Sequence, residues 1–143
     1  FMIAYHKSLN GYRFTPSSYG ITYWKKINED KLQLAIDIFQ EELNWNKMWS
    51  VEDAKQRLED GWLMSVLEKD DEVKGWFWLN YETQEGLNLY VHKKHRNWGF
   101  GHGLINYICN SAKLKGLDSV WSQVDEWNEV SQRLFLRCGY VNE

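Results

Sequence analysis

Proline and cysteine are scarce in this chain of 143 residues, its positive charge is not in excess, and no apolar run reaches the length of a membrane span. Each shortage excludes something. A bilayer-crossing helix needs about 20 consecutive apolar residues, which no part of the sequence offers. Cys109 and Cys138 lie far apart with no CxxC spacing, so neither a disulfide framework nor a zinc site is indicated, and both thiols are expected to be reduced. A formal net charge of −3 argues against a nucleic-acid partner, because clamping a phosphate backbone takes a strongly basic face. No fixed-period repeat or low-complexity tract occurs. No signal-peptide pattern stands at the start, so the location expected is cytoplasmic; Phe1, ahead of Met2, is set aside. What is abundant is apolar and aromatic material. An apolar fraction of 43% with one proline, Pro16, excludes disorder, and the length suits one domain that buries roughly two thirds of its unfolded surface.

Hydrophobic spacing sets the order of elements. Residues 1–20 read as an N-terminal extension with a possible extra strand at Met2 to Tyr5, followed by residues 21–143 as the main domain. Ile21 to Ile27 predicts a strand. From Asp30 to Asn44, a helical stripe runs through Leu32, Leu34, Ala35, Ile38, Phe39 and Leu43. Ser50 and Asp53 form a capping-box pattern that opens a short helix ending near Gly61. Trp62 to Glu68 and Val73 to Glu82 predict a hairpin, and Glu85 to Val91 the next strand. A helix starting near His102 carries Leu104, Ile105, Ile108, Ala112 and Leu114 and stops at Gly116. Ser119 to Asp125 is a strand, and a helix from Glu129 to Arg137 follows. The order β-α-α-β-β-β-α-β-α predicts an α/β fold with a mixed sheet, the strand-helix-strand unit pairing in parallel.

The segment Arg96 to Gly103, RNWGFGHG, joins that strand to that helix. Glycines let main-chain N–H groups approach a ligand and turn toward one point, and a helix N-terminus favours an anion. With Lys93, Lys94, His95 and Arg96 alongside, the arrangement suits a pyrophosphate. A plain connector with a solvated basic run fits the same letters, and spacing alone does not separate the two. Two other phosphate loops are excluded. The glycines run GxGxG rather than GxGxxG with an acidic residue about 20 positions on, and Leu104 stands where a P-loop needs Lys then Ser or Thr.

The stretch LNLYVHKKHRNWGFGHGL resembles the signature of GNAT acetyltransferases, a strand leading into R/Q-x-x-G-x-G/A and a helix, with Arg96, Gly99 and Gly101 in the marked places. Downstream, NEVSQRLFLRCGYV resembles the second element of that family, N-x-x-A-x-x-L-Y-x-K-x-G-F, through Asn128, Ser131, Leu134, Arg137, Gly139 and Tyr140. The resemblance covers residues 21–141. It implies a GNAT-like sheet splayed between the strands ending at Val91 and Asp125, with the pantetheine arm of acetyl-CoA in the gap. It implies an acetyl-CoA-dependent N-acetyltransferase that passes the acetyl group directly to a primary amine, small molecule or protein, in a ternary complex. Leu89, Tyr90 and Val91 would line the arm, the Leu89 N–H facing the thioester oxygen. Arg96, Asn97, Trp98, Gly99, Phe100, Gly101, His102 and Gly103 would hold the pyrophosphate, and Asn128, Ser131 and Phe135 the far side of the coenzyme. Asn128 serves equally as an N-cap.

Because a lysine-like amine titrates near ~10.4, a base must take its proton at neutral pH. By the family's pattern, Glu85, four residues before Leu89, is the candidate, with a solvated strand-end carboxylate as the alternative; Asp125 and Glu126 come next. Phe135 stands where many members carry a tyrosine that protonates the leaving thiolate, and phenylalanine donates no proton. Tyr90, Tyr140 or water would have to substitute, or else the protein is a catalytically degenerate acyl-CoA binder. The family also continues past Gly139-Tyr140 with further strands, so the final strands are expected to be missing here, replaced by the N-terminal segment or by a second copy in a homodimer. Nine tryptophans are expected mainly in the core, with Trp76 and Trp78 on one sheet face opposite Phe77; Trp45, Trp49 and Trp127 stand at helix ends or in loops where an acceptor could be received, with structural packing the favoured reading. No metal is expected, since His92, His95 and His102 are spread along the coenzyme loop. The rival from another class is a module binding RNA or protein through surface aromatics.

Overall fold

The structure, a computed structural model, describes residues 1–16, 19–43 and 50–142. In chain order the elements are β1 (Met2–Ser8), β2 (Ile21–Tyr23), α1 (Glu29–Leu43), α2 (Val51–Glu59), β3 (Leu63–Lys69), β4 (Glu72–Leu79), β5 (Gly86–Val91), α3 (Phe100–Leu114), β6 (Ser119–Asp125), α4 (Glu129–Arg137) and β7 (Val141–Asn142), with a 3₁₀ turn at Lys93–His95. The fold is mixed α/β, as the sequence predicts. Trp45 and Trp49, weighed between packing and an acceptor site, and the side chain of Leu43 lie outside the described residues. No helix among the described residues is long and apolar enough to cross a membrane.

The strands fall into two sheets, ordered β2-β3-β4-β5 and β6-β1-β7. β4 is buried along almost its whole length because it is interior, with β3 and β5 on its flanks. Its alternation puts Trp76 and Trp78 into the layer under α1 and α2, and Phe77 and Leu79 into the layer under α3 and α4. The β3-β4 turn holds Asp70 and Asp71 at positive φ, the geometry of a two-residue primed hairpin, and Lys31 of α1 ties it down by ion pairs to Glu68 (2.9 Å) and Asp71 (2.8 Å). The Ser50–Asp53 capping box opens α2 as expected.

Several expectations are corrected. In α1 the buried stripe is Leu32, Ala35, Ile36 and Phe39, whereas Leu34 and Ile38 are exposed. Two apolar stripes overlap in that helix, and packing on Trp76 and Trp78 selects one. Leu114 is exposed at the end of α3. β4 stops at Leu79 rather than Glu82, because the Asn80 side chain accepts the N–H groups of Glu82 (2.9 Å) and Thr83 (3.1 Å) and turns the chain. β2 ends at Tyr23, not Ile27. The parallel pairing expected between β5 and β6 shrinks to one bridge, Glu85 to Trp121, beside a hydrogen bond from Ser122 Oγ to the Gly86 carbonyl (2.9 Å). Beyond that point the strands belong to separate sheets, so a cleft opens between them. β1 pairs antiparallel with β6 from Met2–Asp125 to Ser8–Ser119 and takes β7 on its other edge at Tyr5 and His6.

Candidate active site

The loop after β5 turns on backbone conformation. Asn97 and Gly99 both have positive φ, 66° and 83°, and Gly99 is the N-cap of α3 with open space where a Cβ would project. No side chain caps that helix. Its first hydrogen bond runs from the Gly103 N–H to the Gly99 carbonyl (2.9 Å), so the amides of Phe100, Gly101 and His102 precede the helical ladder and face outward from its end. The helix therefore starts at Phe100, not near His102. Gly101 has a different reason to be glycine: a Cβ there would come within 2.9 Å of Leu134 Cδ2. The two sequence motifs thus meet, the leucine of the second occupying the space left by the glycine of the first.

Cations surround this helix end. Lys69, from the β3-β4 hairpin, sets its ammonium over the rings of Trp98 (5.4 Å) and Phe100 (5.6 Å). Lys93, Lys94 and Arg96 are exposed beside it. Burial first, then the neighbouring Lys74 and Lys69, hold the His95 imidazole below its ordinary pKa. Arg96 folds back so that its Nε–H donates to the Val91 carbonyl (2.8 Å), a group the sequence assigns to the pantetheine arm. His92 lies against the Phe39 ring, 4.1 Å between centroids, and His102 is exposed in the first turn of α3. Open amides, an uncapped helix N-terminus and clustered cations fit a polyphosphate group.

Along β5 the cleft wall carries an irregularity. Trp76 pairs with Tyr90 and Trp78 with Leu87, so Phe77 alone opposes Asn88 and Leu89. This is a β-bulge, and Asn88 within it has φ 58°. A bulge interrupts the ladder, which is what an amide aimed at an oxyanion requires of Leu89. Glu85 sits at the closed end of the cleft beside Trp121, whose ring N–H donates to the Thr83 carbonyl (2.8 Å). Burial pushes the Glu85 carboxyl above its usual range. Leu89 is three ladder steps beyond Glu85, because the bulge takes up one of the four residues, and Asp125 is four residues beyond Trp121, roughly 10 and 13 Å along their strands, so Leu89 and Asp125 stand at about the same level on opposite walls. Glu85 and Asp125 are therefore at opposite ends of the cleft and do not act on one atom together.

The far wall is β6 and α4. Asn128 caps α4, its Oδ1 accepting the Ser131 N–H (3.2 Å), and its own N–H donates to the Asp125 carbonyl (2.9 Å). Phe135 is 3% exposed, among the rings of Tyr5 (6.3 Å), Phe77 (6.2 Å) and Tyr140 (4.9 Å). Tyr140 is a core residue, its hydroxyl 3.7 Å from Cys109 Sγ and its pKa driven well up by burial. Tyr90 lies under α1 between Phe39 and Trp76. Trp127 is exposed at the entry to α4. The sequence did not single out Lys69 or Asn88. An asparagine inside a strand, a poor strand former that tolerates positive φ, was the one local signal of the bulge.

The chain is similar to a Drosophila protein of solved structure (TM-score 0.73, 14% identity, covering 99% of this chain and 47% of that one). It is similar to a GCN5-related N-acetyltransferase from Sphaerobacter thermophilus (0.66, 16%, 99% and 48%). It is also similar to an aminoglycoside acetyltransferase from an uncultured soil metagenomic sample, solved in complex with trehalose (0.65, 17%, 82% and 85%). The chain spans about half the length of the first two. No curated protein sequence matches it. The acetyltransferase (GNAT) family profile matches residues 24–140, taking in the helix-end loop, the bulged strand and the Asn128-capped helix, and the chain belongs to that family.

Proposed function

We propose that this domain, with β1 as an integral strand, is an acetyl-CoA-dependent N-acetyltransferase that acetylates a primary amine directly in a ternary complex. The observation that carries the reading is the open helix end, with the amides of Phe100, Gly101 and His102 and the Lys69 ammonium gathered beside a cleft between separating strands. Bound there, acetyl-CoA supplies an activated acyl group that a neutral amine attacks without a covalent enzyme intermediate. The chain's own residues do the rest. The amides of Phe100, Gly101 and His102 hold the pyrophosphate, since the Arg96 and Gly103 N–H groups already donate to the Lys93 and Gly99 carbonyls, and the Leu89 N–H donates to the acyl oxygen as charge gathers on it. Glu85, roughly 10 Å along β5 from Leu89, receives the amine proton through a chain of waters. Its half-buried setting suits a base whose pKa lies closer to neutrality than a free carboxylate's. Asp125, at the level of Leu89, holds the cationic acceptor. Aminoglycosides join polyamines, amino acids and protein N-termini as acceptors to test, the first by likeness to the metagenomic enzyme.

One observation favours a second reading, a binder of acyl-CoA that has lost efficient turnover. Phe135, where a phenol would protonate the leaving thiolate, is closed into an aromatic core. A thiol titrates near ~8.5, so the thiolate can leave unprotonated and the loss slows rather than stops transfer. Acetyl-CoA should raise the melting temperature, whereas RNA should not. Release of free thiol against the amine panel then separates the readings: turnover with any acceptor establishes the enzyme, and stabilisation without turnover leaves the binder. If acetyl-CoA gives no stabilisation, both fall.

A further inference from the structure

We propose that Arg57 of α2 is a positioning residue: it clamps Asn88 and so fixes the β5 bulge that aims the Leu89 N–H into the cleft. The inference rests on the acetyl-transfer reading. Side-chain direction along β5 establishes what the clamp grips. Leu87 and Tyr90 pack in the layer under α1 and α2, while Leu89 and Val91 pack in the layer under α3 and α4. Regular alternation would put Leu87 and Leu89 on one face. Instead Asn88 joins Leu87 on the α2 face, where its Oδ1 accepts a 2.7 Å hydrogen bond from Arg57 Nη1. Two consecutive residues on one face are the signature of the bulge, and everything from Leu89 onward is inverted by it.

Asn88 holds a left-handed conformation, φ 58°, that a strand does not otherwise favour. The partner that meets it is itself fixed. The Arg57 guanidinium lies 4.8 Å from the Trp62 ring centre and 5.2 Å from that of Trp78, both beside the bulge. Arginine keeps its charge under these conditions, so the bond to Asn88 is charge-assisted and directional. Trp78 pairs with Leu87, the residue before the bulge, so the clamp spans β4, β5 and α2 at the one place where the ladder slips. Relaxing the bulge by a single residue would turn the Leu89 amide away from the cleft. A displacement of about 1 Å from reacting geometry is worth on the order of a hundredfold in rate.

The test uses ¹⁵N-labelled full chain with acetyl-CoA and with CoA lacking the acyl group. In the wild type the amides of Gly99 to Gly103 should shift with both ligands, and the Leu89 amide with acetyl-CoA alone. Arg57→Met, which keeps the stem between the tryptophans, should abolish the Leu89 response and leave the loop response intact. Should Arg57→Met fail to fold, Asn88→Gly serves, since glycine accepts the left-handed turn but offers no acceptor. Asn88→Asp, which keeps the acceptor, should restore the Leu89 shift. With the best acceptor from the panel, kcat should fall roughly tenfold to a hundredfold at unchanged KM for acetyl-CoA. An unaltered Leu89 response in Arg57→Met or Asn88→Gly overturns the clamp and leaves the function standing. A wild type whose loop amides answer neither ligand overturns the functional reading, and the clamp with it.

Discussion

The loop from Arg96 to Gly103 and the strand that leads into it are held in different ways. The loop is open: Trp98 is 71% exposed, the helix end has no side-chain cap, and its long-range ties include Lys69 over two rings and Leu134 under Gly101. β5 is gripped from three sides, by Arg57 of α2 at Asn88, by Ser122 of β6 at Gly86 and by the β4 ladder. On the proposed function, the difference follows from the tasks. A polyphosphate has many equivalent oxygens and accepts small adjustments in the amides around it. A single acyl oxygen and a single ammonium proton do not, and the groups that serve them need rigid support. Substitutions in the loop should therefore move coenzyme affinity, and substitutions on β5 should move turnover.

The largest expected effect breaks the strand side. Glu85→Gln should lower kcat by about 10²-fold or more while the KM for acetyl-CoA stays where it was. The wild-type pH profile of kcat/KM should rise as Glu85 loses its proton, and because burial raises that pKa the limb lies above the ordinary carboxylate range. Glu85→Gln should erase the limb; steady-state thiol release across pH reads both, and unchanged turnover assigns the proton transfer elsewhere. On the loop side, Gly99→Val forces a β-branched residue to φ 83°. A strain of about 1 to 3 kcal/mol corresponds to coenzyme binding weakened roughly fivefold to 150-fold, with kcat at saturation retained. Calorimetric titration with acetyl-CoA checks it, and an equal drop in kcat would dissolve the division of labour. Smallest is Asn128→Ala, which removes the α4 cap. Stability should drop by about 1 kcal/mol, a melting shift of roughly 2 to 4 °C, followed by circular dichroism. Should the acetyl-CoA KM rise as well, Asn128 touches the coenzyme besides capping the helix.

The loop was legible in the sequence and the clamp was not. Gly99 and the amides after it depend on φ and on the start of one helix, both encoded within a few residues. The Asn128 cap and the Ser50–Asp53 box were readable for the same reason. Arg57 and Asn88 are 31 positions apart, and neither is unusual alone. Lys69 likewise reaches the loop only because a hairpin folds over it. In α1 the apolar letters allowed two stripes, and burial against the Trp76–Trp78 layer chose the one without Leu34 and Ile38.

By itself the sequence determined the succession of elements from β2 to α4, the β3-β4 hairpin, the two family motifs and a loop whose amides suit an anion; the short β7 was not expected. Backbone dihedrals, caps and hydrophobic period are local, so they survive being read one window at a time. Only the tertiary structure decided that β1 would lie between β6 and β7, that β5 and β6 would part after one bridge, that Phe135 would sit among core rings, and that Arg57 would reach the bulge. Register, burial and side-chain partnership come from contacts between distant segments, and the free energy that selects among them appears once those segments pack.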